Sequence, residues 1–437
     1  MGIIRFVLFM CGQLGIMLLA RFFFQWLVFF CNQPISEKVT LLSVSIVGMV
    51  MFGFRIFDGV TDPIAGTLSD IWVKGGRERR QLLWYTSPLP ALGLILCFLP
   101  SATDGETLRW IYLLSGMLLF FVGYTLYALP YWSLVGDYAQ GDEQRRGKLS
   151  TLLGVGMLLA TTVGFIVTPI MIDHFGYLNS AFILALLSIP LMIAPYFACP
   201  TSLLKREDQL QPKSKTQEEK HEKEGFKAQV LAFLAVLKHR KFLSVICLFA
   251  GSQMSFTVMT IAAPFIACHL LGGTEKDVAF ILGPLLFMAI PSSALVPKLS
   301  KNLGWERSVA LACAGLGLVY FGSIGLGLDL VYSPIATAAV LFALGGPMVS
   351  ILLGLEGEAI TACAEEVNGG VGIYFGVYNL IVKGANGFAF AITTFLAARV
   401  TEDPSQVKLM GLSASLMLIF GLGSYFLLRP KLDRKTP

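Results

Sequence analysis

Apolar runs of about 20 residues, the length a helix needs to cross a hydrocarbon layer, recur from one end of this chain to the other. They lie near 6–31, 39–60, 82–100, 108–136, 149–172, 177–200, 242–270, 278–297, 307–327, 334–360, 371–397 and 407–429. Only 14% of the residues are charged and 55% are hydrophobic, whereas soluble domains are roughly a quarter charged. The pattern predicts an all-α integral membrane protein of twelve transmembrane helices. The first run is too long for a signal h-region and has no small-residue cleavage site at its polar end, so it reads as a span. The start "MGIIRF" also lacks the Ser or Thr of a myristoylation site.

Basic residues orient the spans. With both termini cytoplasmic, 25 of the 33 Lys and Arg fall on that side, against Lys38, Arg109, Lys276, Arg399 and Lys408 on the other. This excess is the positive-inside signature, and it explains the net charge of +5 without a nucleic-acid partner. The longest polar stretch, "KREDQLQPKSKTQEEKHEKEGFK", is rich in Lys, Glu and Gln and reads as a linker. The expected organisation is therefore a six-helix bundle over 1–204, a cytoplasmic middle loop over 205–241, a second bundle over 242–429 and a tail over 430–437. A basic loop follows the second span of each half, "VKGGRERR" and then "PKLSKNLGWER". That echo fits parallel repeats related about the membrane normal.

Reactive side chains are sparse. Cys11, Cys31, Cys97, Cys199, Cys247, Cys268, Cys313 and Cys363 form no CxxC and mostly sit inside apolar runs, as small core residues do. His174, His221, His239 and His269 fall in loops or at span ends. No metal centre and no membrane-embedded nucleophile–base pair is suggested, so neither an enzyme nor a cofactor is expected.

Charge inside the spans is more informative. Such a group costs at least ~2.5–3.5 kcal/mol on insertion scales and normally faces a partner or a cavity. The residues concerned are Arg21, Arg55, Asp58, Asp62 and Lys383, with Glu356 and Glu358 near the inner end of span ten. Asp58 and Asp62, four residues apart in "RIFDGVTDPIAGTLSD", share one helix face. Their mutual repulsion is relieved by a cation. Pro63 returns no N–H to the carbonyl of Gly59, and Thr61 adds a hydroxyl, which together suit Na+ or a proton. Arg55, three residues before Asp58, offers a second reading: an internal ion pair that neutralises Asp58 but leaves Asp62 unexplained.

Other polar positions cluster in three spans. Span one carries Arg21 and Gln25 on one face, either a substrate contact or a helix–helix hydrogen-bond pair. Span four carries Tyr124, Thr125, Tyr131 and Trp132 around Pro130, either pore lining or interfacial anchoring. Span eleven carries Lys383, flanked by Asn379 and Asn386 in "YNLIVKGANGFAF".

Together these segments resemble the glycoside–pentoside–hexuronide:cation symporter (melibiose-permease-like) family of the major facilitator superfamily. "RIFDGVTDPIAGTLSD" is similar to its R-x-x-D-x-x-x-D-P-x-x-G signature, "PYWSLVGDYAQGDEQRR" to its span-four segment, and "YNLIVKGANGFAF" to its span-eleven lysine segment. The resemblance covers essentially the whole chain. It implies a secondary active transporter, a Na+- or H+-coupled symporter of a sugar or glycoside working by alternating access. It places the cation on Asp58, Asp62, Thr61 and Thr125, and substrate contacts at Arg21, Trp132 and Lys383. Gln25, Tyr124 and Asn379 join the substrate set from the polar-face reading above, and Arg55 is the charge partner.

Some positions depart from the family pattern. Phe22 and Ala128 stand where sugar-transporting members carry acids, and the surroundings of Leu153 are apolar where they carry an arginine. The stretch before span eleven, "NGGVGIYFG", lacks the usual charges. Losing these groups removes bidentate hydrogen bonds that a galactoside uses. An anionic amphipath such as a lysophospholipid, carried by sodium-dependent members of the same superfamily branch, is therefore the alternative substrate. A non-transporting membrane sensor is the remote one. The expected setting is a monomer in the plasma (inner) membrane.

Overall fold

The computed structural model describes residues 2–36, 39–198, 235–327, 333–367 and 371–429. The chain folds as two compact units, Met1–Lys213 with Thr274–Ala279, and Ser214–Gly273 with Phe280–Pro437. Most of the middle loop expected at 205–241 and the tail at 430–437 lie outside the described residues, as do Lys38, Cys199 and His221.

The first unit contains α1 (Ile3–Cys31), a two-stranded ribbon of β1 (Pro34–Ser36) and β2 (Val39–Thr40), α2 (Val44–Lys74), α3 (Leu82–Thr86), α4 (Pro88–Cys97), α5 (Glu106–Ala139) and α6 (Glu143–Ile193). The second contains α7 (Arg240–Phe265), α8 (Val278–Ser293) from Phe280 onward, α9 (Val296–Leu303), α10 (Trp305–Gly322), α11 (Pro334–Glu366), α12 (Val371–Ala397) and α13 (Gln406–Leu428). Ten helical segments among the described residues are long and apolar enough to cross a membrane.

The difference from twelve expected runs has two causes. The runs at 149–172 and 177–200 join in one segment, Glu143–Phe197. Within it Gly176, at φ 76° and ψ 174°, leaves helical geometry. That conformation is essentially restricted to glycine, so the chain breaks where the sequence places the boundary. The run at 82–100 is split by Pro88 into α3 and α4, each too short to cross a membrane by itself. Ser87 between them keeps helical torsions of −58° and −35°, so the missing proline N–H divides the hydrogen-bond ladder without turning the chain.

Span two moves furthest from its expected limits. Residues 39–40 pair in the ribbon, and α2 begins only after Ser43, whose backbone is extended at φ −62° and ψ 105°. The helix then continues to Lys74, which puts Asp58 and Asp62 near its middle. Its exposed apolar stripe, Ile56, Val60, Ile64, Leu68 and Ile71, follows helical spacing. The opposite face buries Met51, Asp58, Ala65 and Ser69.

Packing is close where side chains are small. At the α4–α5 crossing a Cβ on Gly93 would fall 2.4 Å from the backbone nitrogen of Phe120, and one on Gly116 would fall 2.7 Å from that of Cys97. Backbone contact of this kind is how helices associate where no hydrophobic drive exists between them and lipid. In the same unit α1 packs along α6, and α2 along α5. In the second, α7 packs against α12 and α13, and α10 against α11 and α13.

At the start of α7, His239 Nδ1 lies 3.1 Å from the Tyr374 hydroxyl of α12. Burial lowers the His239 pKa from 6.5, more than Glu366 raises it. The folded state thus prefers neutral imidazole. Its stabilising contribution is present above the unfolded value near 6.5 and is lost as pH falls through the lower folded one. Thermal denaturation as a function of pH should show stability falling below that point, and His239→Gln should flatten that part of the profile.

Candidate functional site

Asp58 is the centre of the polar cluster in the first unit. Its side chain is 1% exposed, and Arg55 Nη1 reaches its Oδ2 at 3.5 Å, one turn earlier on α2. From α5, Thr125 donates its hydroxyl to Asp58 Oδ1 at 3.0 Å. The carboxylate therefore has a guanidinium on one oxygen and a hydroxyl on the other. The long Arg55 contact leaves the ion pair weakly closed, since a strong N–H to carboxylate bond is nearer 2.7–2.9 Å.

Arg55 is held from the other side by an aromatic face. Its guanidinium lies 4.4 Å from the Phe24 ring centroid on α1, a cation–π contact that strengthens when water is excluded. Among the described residues the buried Arg55 Nε has no hydrogen-bond partner. The charges of Asp58 and Asp62 act on Arg55, and Arg55 acts on Arg21. The structure thus gathers Arg21, Arg55, Asp58, Asp62, Tyr124 and Thr125 into one polar group from α1, α2 and α5.

The two acids share a helix face but not an environment. Asp58 is fully buried, whereas Asp62 is half-buried beside exposed Pro63. Thr61, expected beside the cation, donates its hydroxyl to the Asp58 backbone carbonyl at 3.2 Å. That bond commits the Thr61 proton and leaves its oxygen lone pairs as acceptors.

Residues expected on the substrate side are placed as follows. Arg21 on α1 lies 6.0 Å from the Phe165 ring. Gly164 permits this approach, because a Cβ there would sit 2.8 Å from Arg21 Cβ. Trp132 gives its indole N–H to Gln13 Oε1 at 2.9 Å, leaving the ring face as its contact surface. Tyr124 stacks near Phe120, with ring centroids 6.3 Å apart. Gln25 is 0% exposed, and among the described residues neither end of its amide finds a hydrogen-bond partner. The helix–helix hydrogen bond open to it from the sequence is not formed.

An unmatched buried amide costs about 1–3 kcal/mol. Gln25→Leu should therefore raise the solute-free protein's stability by on the order of 1 kcal/mol, read as a higher unfolding temperature in detergent or bilayer.

Lys383 and Asn379 belong to the second unit, on α12, where Lys383 is half-buried and Asn379 is exposed. The neighbouring Asn386 accepts from Thr257 on α7 at 3.1 Å. Three partnerships were not legible from the chain: Phe24 beneath Arg55, Gln13 against Trp132, and Gln253 with Tyr378 around Glu356. None carried a signal, because each is a contact between different helices and periodicity relates only residues of one helix.

The positions where expected acids are missing are filled by carbon. Phe22 is 0% exposed and meets Phe98 edge-on at 4.9 Å. Ala128 is 1% exposed.

A family model described as MFS/sugar transport protein, the melibiose-permease-like family, matches residues 8–428. The chain belongs to this family. Solved structures share its fold. One is described as a proton-dependent oligopeptide transporter, at TM-score 0.62 and 15% identity over 98% of this chain and 99% of the other. Another is a peptide transporter at TM-score 0.66 and 13% identity, over 97% and 95%. A third, solved with 5-aminolevulinic acid, gives TM-score 0.63 and 12% identity over 97% and 96%. A search of curated proteins finds no significant match. The protein is a multi-pass membrane transporter of the major facilitator type and not an enzyme.

Proposed function

We propose that the protein is a cation-coupled symporter working by alternating access, with Na+ or H+ bound at Asp58, Asp62 and Thr125 and a small organic solute as cargo. The observation that carries this reading is the buried Asp58 carboxylate, bonded by Thr125 from α5 and only loosely paired with Arg55. A permanent structural ion pair gains most from short, well-aligned geometry. A long one can exchange its partner for a bound cation.

In this reading Arg55 is the counter-charge of the cation-free state and withdraws when the cation arrives. Asp62 and the backbone near Pro63 supply further oxygens. In the first unit Arg21, Gln25, Tyr124 and Trp132 are the solute contacts; in the second, Lys383 and Asn379 are the corresponding candidates. The unpaired Gln25 amide is the group a polar solute would complete. The chain crosses the plasma (inner) membrane twelve times with both termini cytoplasmic, and it acts as a monomer.

A sugar or glycoside is the leading cargo because the family is one of sugar transport proteins. An anionic amphipath, such as a lysophospholipid, is favoured instead by the apolar packing at Phe22 and Ala128. There the donors and acceptors for a sugar's hydroxyls are replaced by carbon.

Uptake into proteoliposomes, with Na+ and pH gradients imposed separately, tests the proposal. Accumulation of a sugar, uronate or lysolipid should follow at least one gradient. Transport indifferent to both overturns cation coupling. A thermal-shift screen of the same solutes with and without Na+ identifies the cargo, because a ligand stabilises the state it binds.

A further inference from the structure

The second unit contains an intramembrane acid outside the proposed cation and solute sites. Glu356 lies on α11, one of the segments apolar enough to cross a membrane. Its two oxygens have separate donors from two other helices. Gln253 Nε2 of α7 donates to Oε2 at 2.9 Å, and the Tyr378 hydroxyl of α12 donates to Oε1. Three helices thus meet at one carboxyl group.

Three of the surrounding charged groups have partners of their own. On α7, Lys241 pairs with Glu366 at 2.7 Å. On α11 itself, Glu358 accepts from Ser300 of α9 at 3.0 Å. The remaining charges on the packed helices are Arg240 on α7, Lys298 and Lys301 on α9, Glu306 and Arg307 on α10, Glu365 on α11, and Lys383 on α12. Among the described residues none forms an ion pair with Glu356.

A half-buried acid with neutral partners can be neutralised by a proton or by a metal cation. The partners decide between them. Both oxygens are met by hydrogen donors, whereas a Na+ site needs several oxygen lone pairs converging on one point. A proton needs only one. Gln253 can serve either charge state, since its amide donates to a carboxylate and, turned over, accepts from a carboxylic acid through Oε1. Tyr378 can continue donating to the other oxygen.

We propose that Glu356 is a proton-binding site of the second unit, loaded and unloaded during transport, with Gln253 reversing its hydrogen bond as the proton comes and goes. On loading, an O–H bond forms at Oε2 and the Gln253 amide turns its carbonyl to accept it. On unloading, the proton leaves to water and the amide N–H returns to Oε2. This site is independent of cation binding at Asp58, so each can fail alone.

The test is infrared difference spectroscopy of the full chain in lipid bilayers between acidic and alkaline buffer, paired with indicator-dye counting of bound protons. Wild type should show a protonated-carboxyl C=O band that is lost in Glu356→Gln, kept in Asp58→Asn and displaced in Tyr378→Phe. Glu356→Gln should also bind about one proton fewer per chain, the linkage expected of a single titrating site. Wild-type bands and proton count in Glu356→Gln would show a fixed structural clamp and overturn the proposal. Should that variant not fold, an unmoved carboxyl band in Tyr378→Phe overturns it equally.

Discussion

Asp58→Asn is expected to abolish gradient-driven accumulation while leaving a folded protein that still binds solute weakly. The substitution keeps the shape of the side chain and an oxygen for the Thr125 hydroxyl, but removes the charge that a cation would neutralise. One inward charge moving through 100 mV supplies ~2.3 kcal/mol, worth roughly forty-fold accumulation at tenfold per 1.4 kcal/mol. That factor should collapse to about one in Asp58→Asn. Linkage adds a second readout. If cation and solute tighten each other's binding, the coupling is reciprocal, so Na+ or acid should cease to improve solute affinity in the variant. Accumulation at the wild-type level would sink the assignment of Asp58. Asp62→Asn should show the same loss of coupling, with less effect on folding because Asp62 is only half-buried.

The sequence discloses the membrane architecture readily because hydropathy and basic loops are local properties. Each run of about 20 apolar residues has to be helical, since lipid offers its backbone no partners. Boundaries are less legible where two rules compete. Pro88 sits inside an apolar run and divides α3 from α4, although hydropathy alone reads one span. Gly176 shows the reverse: the sequence separates two runs there, and the backbone break is a single residue with helix on both sides. At the site, the spacing of Arg55, Asp58 and Asp62 along one helix is visible in the chain, because a period of 3.6 converts spacing into geometry. Contacts between helices are not visible in this way. Nothing in the sequence says that Phe24 lies under Arg55 or that Gln13 takes the Trp132 N–H. Nor does spacing show that Asp58 and Asp62 differ in burial, which depends on what α5 places opposite each. Thr125 meets Asp58 across 67 positions of sequence, and the family resemblance, not periodicity, brings those two together.

The Arg55–Asp58 pair makes a prediction about stability that separates its structural role from a role in coupling. Removing Arg55 takes one cation from a carboxylate at 1% exposure, and removing one partner of a buried pair costs about 3–5 kcal/mol. Arg55→Met, which keeps an apolar side chain against Phe24, should therefore lower the unfolding temperature sharply in cation-free buffer. Arg55→Met/Asp58→Asn should recover most of that loss, because the uncompensated charge is gone. The double-mutant cycle measures the interaction directly. Cation binding supplies the distinguishing term. If the pocket accepts Na+ or H+, raising that cation should stabilise Arg55→Met more than wild type, since the cation now replaces the missing guanidinium. It should leave the double variant unmoved. Equal stabilisation of all three proteins, or none of any, would confine Asp58 to a structural ion pair and remove it from transport.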